Sequence, residues 1–76
     1  MPSAEEKIIE YHISRLRANR PDVLLDAIAQ LEAMGAMAKP ALDALQALHD
    51  RSVDPEIKEA ARQAGFNIFM AAKAEE

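Results

Sequence analysis

Seventy-six residues, half of them apolar, make one small domain: area scaling gives roughly 4,600 Å² of folded surface against roughly 12,200 Å² unfolded, so only about three-fifths is buried. The absence of cysteine excludes disulfides, thiolate metal sites and cysteine nucleophiles, and no apolar run approaches the ~18 residues of a membrane span. Thirteen acidic against nine basic side chains leave a net charge of −4, which weighs against nucleic-acid binding.

The Met1 segment lacks the apolar core of a signal peptide, so the chain is expected in the cytoplasm with no membrane partner. Sixteen alanines, the best helix formers, against two valines and no threonine predict an all-α chain. Ser3 and Glu6 have the spacing of a capping box and open a first helix that runs to about Ala18. At 100° per residue, Ile8, Ile9, Ile13 and Leu16 fall within an arc of about 140°, so this helix is amphipathic. Pro21 begins a second helix that ends at Met34, with Gly35 as its left-handed cap. A third starts near residues 38–40, carries Ala41, Leu42, Leu45 and Leu48 on one side, and stops around His49. Asp54 and Pro55 supply a cap and first-turn proline for the last helix, which extends toward Lys73. The short connections predict antiparallel hairpins.

Arg20-Pro21-Asp22-Val23 superposes on Asp54-Pro55-Glu56-Ile57, an offset of thirty-four residues that also matches Ala27 to Ala61 and Met34 to Ile68. Leu45 and Leu48 similarly match Ile13 and Leu16. Self-similarity at this period marks stacked helical hairpins. The stretch from Ala38 to Phe69, AKPALDALQALHDRSVDPEIKEAARQAGFNIF, resembles a HEAT repeat in its Pro-Ala-Leu opening and its Asp-Pro-x-Ile-Lys-x-x-Ala second helix. Residues 21–35 look like the second helix of a preceding, more degenerate repeat whose first helix is Ile8 to Leu16. The resemblance implies two stacked antiparallel helical hairpins, a HEAT-like α-solenoid fragment within a single domain 1–76: repeat 1 about 3–35, repeat 2 about 38–74. A closed four-helix bundle is the alternative. HEAT-like families are mostly protein-interaction scaffolds, some bind DNA, and some small bacterial members assist cofactor (bilin-type) attachment. Gly65 stands where the family usually has leucine, which implies either a close helix approach or a weaker core.

Residues with chemistry are few. His12 lies within the apolar arc of the first helix and reads as a partly buried, hydrogen-bonded side chain. His49, Asp50, Asp54 and Glu56 match no metal-loop spacing, and Asp54 is better explained as a helix cap. Gly35 and Gly65 are isolated, so no phosphate-cradling loop is present. Arg15, Arg17 and Arg20 do not share one helix stripe and suit a solvated helix C-terminus. No catalytic, metal or cofactor residues are assigned, and the chain reads as non-enzymatic.

Apolar residues are in excess elsewhere. With Val23 and Ile57 set as the core side of the second and fourth helices, the arc from about 100° to 200° faces outward. It holds Lys58, Phe69, Arg62, Lys73, Phe66 and Glu59, with Met70 at its edge, in the fourth helix, and Leu24, Ile28, Glu32 and Leu25 in the second. The expected protein-contact surface is therefore Leu24, Leu25, Ile28, Phe66, Phe69 and Met70, rimmed by Arg62 and Lys73, for another protein or a second copy of the chain.

Overall fold

The computed structural model describes residues 3–76; Met1 and Pro2, part of the segment read for a leader, lie outside the described residues. Helix α1 spans Ala4–Arg15, α2 Pro21–Met34, α3 Leu42–Arg51 and α4 Pro55–Ala74, and no strand occurs among the described residues. Ser3 caps α1 by accepting the Glu6 amide on its side chain at 3.1 Å. Asp54 caps α4 in the same way, accepting the Glu56 amide at 2.9 Å. The last turn of α1 tightens: the Leu16, Arg17 and Ala18 amides reach carbonyls only three residues back, at 3.1, 3.2 and 3.1 Å. That moves the α-helical end to Arg15 while the chain stays coiled to Ala18.

Between α2 and α3 a 3-10 segment, Gly35–Ala41, takes the place of a loop. Gly35 makes the bend at φ 62° and ψ −134°, a conformation accessible essentially to glycine. Pro40 lies inside this segment, and α3 starts two residues beyond it, at Leu42. Ala38 and Ala41 are fully buried, and their small side chains let the segment press closely against α4.

Fourteen apolar residues form the core, and no polar side chain is buried among the described residues. α2 packs against α1 and α4, α4 packs also against α3, and the 3-10 segment touches all four helices. Side chains reach across these joints. The Arg51 guanidinium donates to the Leu16 carbonyl, tying the end of α3 to the end of α1. Lys58 Nζ donates to the His49 carbonyl at 2.7 Å, and Asn67 Nδ2 to Glu32 Oε2 at 2.7 Å. The result is a flattened slab of 33 × 25 × 16 Å. No helix among the described residues is long and apolar enough to cross a membrane.

At the offset of thirty-four residues burial agrees only in part: Ala27 and Ala61 are both buried, but buried Leu24 and Ile28 fall on half-buried Lys58 and exposed Arg62. Leu24, Ile28 and Leu31 of α2 correspond to Ile57, Ala61 and Ala64 of α4 at an offset of thirty-three. Ile9, half-buried Ile13 and Leu16 correspond to Ala41, Leu45 and Leu48 at thirty-two. Aligning the two prolines therefore set α2 one residue out of register. One residue is about 100° of helix rotation. The expectation that Leu24, Leu25 and Ile28 face outward is corrected accordingly: Leu24 is 7% exposed, Ile28 is 3% exposed, and Leu25 packs half-buried against the core. The physical cause is the packing of α2 against two helices, which gives it a wide buried arc.

Candidate functional site

On α4 the outward arc is exposed except at Lys58, which is half-buried with its Nζ on the His49 carbonyl. Ile57, Ala61, Ala64 and Ile68 take the buried side, and the residues opposite them project into solvent. Phe66 is 57% exposed, Phe69 48% and Met70 47%, three large apolar side chains within five positions of one helix. Folded surface totals 4990 Å², about 400 Å² above the roughly 4,600 Å² expected for a chain of this mass.

Charged groups frame the apolar centre. Arg62 donates to Glu59 through both Nε, at 3.1 Å, and Nη2, a bidentate pair one turn apart on the helix surface. Its hydrogen bonds hold the Glu59 carboxyl below the ordinary carboxylate range, and Glu59 in turn raises Arg62. Lys73 sits with Nζ 5.6 Å from the Phe69 ring centroid, within cation–π reach.

Beside this face runs a groove of about 320 Å³ between α3 and α4. Leu42, Leu45, Ala61 and Gly65 form its apolar part with the two phenylalanines, while Asp43, Gln46, His49 and Arg62 supply polar atoms. A Cβ built on Gly65 would meet nothing within 4 Å, so the glycine does not serve a close helix approach. Its missing side chain leaves the groove open instead. Sequence reasoning missed the α3 wall, although Leu42, Gln46 and His49 recur at i, i+4 and i+7, the spacing of one helix stripe.

The remaining candidates have structural explanations. His12 is half-buried, and its Nδ1 accepts from Arg15 Nη1 at 3.1 Å. Arg15 also pairs with Asp26 at 2.6 Å, joining α1 to α2, and Arg20 pairs with Asp22 at 3.1 Å. Gln46 and His49 hydrogen-bond Asp50, at 2.9 and 3.1 Å. Among the described residues no three His, Asp or Glu side chains gather as metal ligands.

Fold and surface together define a small all-helical protein with an exposed aromatic face on its longest helix. No protein-family model, no characterised protein and no solved structure matches the chain.

Proposed function

We propose that this chain is a non-enzymatic protein-interaction module, built as a two-repeat HEAT-like hairpin stack, whose contact surface is the outward face of α4. The observation that carries it is the exposure of Phe66, Phe69 and Met70 opposite a well-buried stripe on the same helix. Aromatic and methionine side chains grouped on a surface and rimmed by charge are the make-up of binding hot spots. Contact residues are thus Phe66, Phe69, Met70, Arg62 and Lys73, with the α3–α4 groove at their flank. The recurrence of burial at thirty-two and thirty-three residues, and the pairing of α2 with α4, support the stacked arrangement. The groove, at the floor of the ~300–1,000 Å³ range of small-molecule pockets, suits inserted side chains better than a whole cofactor.

A photoreactive phenylalanine analogue at position 66 tests this reading, with Asp22 on the exposed side of α2 as the control position. Irradiation in native lysate is expected to yield discrete protein adducts from position 66 and none from position 22. Equal labelling from both positions would remove α4 as a contact surface.

A further inference from the structure

The exposed face of α4 has a second property, visible in its order. Glu59, Arg62, Phe66, Phe69 and Lys73 are spaced three, four, three and four residues apart, one stripe along the helix with two phenylalanines at its centre and charges toward its ends. All five side chains are exposed; Glu59 and Lys73, of opposite sign, lie seven residues before and seven after Phe66, with Arg62 between Glu59 and Phe66. Reversed about Phe66, this stripe sets Glu59 opposite Lys73.

We infer that the occupant of this face is a second copy of the chain, docked through antiparallel α4 helices on a two-fold axis at Phe66. The inference rests on the contact-surface reading above and names the partner. On that axis Phe66 meets Phe66 of the second copy, and Glu59 faces Lys73 of the second copy, twice by symmetry. Arg62 lies against the second copy's Met70, and Phe69 against its Gln63. Other pairings fare worse electrostatically. Parallel helices would set Glu59, Arg62 and Lys73 each against its own like charge. Sliding the antiparallel pair until Phe66 meets Phe69 would oppose Arg62 to Lys73.

From Glu59 to Lys73 the face is about 21 Å long at 1.5 Å per residue, and with the α3 rim about 20 Å wide, giving roughly 400 Å² per copy. The pair then buries about 800 Å² in total, below the ~1,200–2,000 Å² of stable interfaces, so a weak dimer is expected.

Sedimentation equilibrium of the full chain from about 1 to 300 µM tests the arrangement, with circular dichroism confirming that each variant is folded. Wild type should show a monomer–dimer equilibrium in the range of about 10–100 µM, and Phe66→Ala should weaken it at least tenfold. Lys73→Glu and Glu59→Lys should each weaken it about tenfold, because both symmetric pairs turn repulsive. The double variant Glu59→Lys/Lys73→Glu restores opposite signs across the axis, although it leaves Arg62 without its Glu59 partner, and should bind at least threefold tighter than either single variant. A folded wild type that stays monomeric at 300 µM, or a dimer indifferent to Phe66→Ala, overturns the inference. So does a double variant no better than the single ones. Position-66 adducts of another protein would in those cases leave the contact-surface reading standing, whereas their absence would remove both.

Discussion

Replacing Ile68 by alanine deletes three carbons from a side chain with no exposed surface, between α4 and the rest of the core. Such a deletion costs about 2–5 kcal/mol once the residual cavity is included. A 76-residue domain at about 0.05–0.15 kcal/mol per residue has only about 4–11 kcal/mol of stability in total. At about 4–8 °C per kcal/mol for a chain this short, Ile68→Ala should lower the Tm by about 8–40 °C. Phe66→Ala, two positions earlier, should behave differently. With 57% of Phe66 exposed, about two-fifths of the ~1.5–3 kcal/mol for burying a phenylalanine is at stake, close to 1 kcal/mol. Alanine's better helix propensity offsets about half of that, leaving a Tm shift within about 4 °C. Far-UV circular dichroism melts at about 5 and 200 µM separate fold from assembly, since a dimer adds stability only at the higher concentration. If Phe66→Ala at 5 µM melts as early as Ile68→Ala, the ring belongs to the core and the outward arc of α4 is misplaced.

The two glycines should respond with opposite signs. Gly35→Ala forces a side chain into a glycine conformation and should cost about 1–3 kcal/mol, while Gly65→Ala, in helix with open space around its Cβ, should gain about 0.5–1 kcal/mol; chemical denaturation midpoints read both. Asp54→Ala removes the side-chain acceptor for the Glu56 amide and should cost about 0.5–2 kcal/mol, with Asp54→Asn recovering most of it. Acid should destabilise the fold. Hydrogen bonds from Arg15 to Asp26, from His49 and Gln46 to Asp50, and from Arg62 to Glu59 lower these carboxyls from their ordinary values of 3.8, 3.8 and 4.5. The unfolded chain therefore takes up protons first as pH falls. This contribution is complete above the ordinary values and is lost below them, so the Tm should be level from about pH 5 to 7 and decline toward pH 3. All three groups are exposed, so the decline is shallow and added salt should flatten it; a Tm that rises on acidification would contradict the assignment.

The starts of α1, α2 and α4 were legible because their causes are local, whereas the end expected at Ala18 falls at Arg15 and the start expected near residues 38–40 falls at Leu42. Ser3, Pro21, Asp54 and Pro55 each act on the backbone within a turn of themselves, and each stands where the structure starts a helix. The face of α4 was legible too, since Ile57 and Ile68 lie so nearly opposite Phe66 that a moderate error in rotation leaves the division intact. α2 offers no such contrast. Val23, Leu24, Leu25, Ile28 and Leu31 spread apolar surface around more than half the helix, and only the placement of α1 and α4 against it decides which of them is buried. That is a tertiary fact, absent from any window of the chain. The 3-10 segment was hidden for a related reason: GAMAKPA reads as a connection until Ala38 and Ala41 are seen against α4.

Five of the fourteen core residues are alanines: Ala27, Ala38, Ala41, Ala61 and Ala64. With no buried polar group among the described residues to lock one arrangement, these methyl groups set how far apart the helix axes sit. Drift through such a core is asymmetric. Leucine and isoleucine positions can trade shapes with their neighbours at a cost often below about 1.5 kcal/mol, whereas any enlargement at an alanine must move a whole helix. Molecules descended from this one should therefore vary first at the large side chains and hold the small ones, so that lineage would be read most clearly in the residues that contribute least volume.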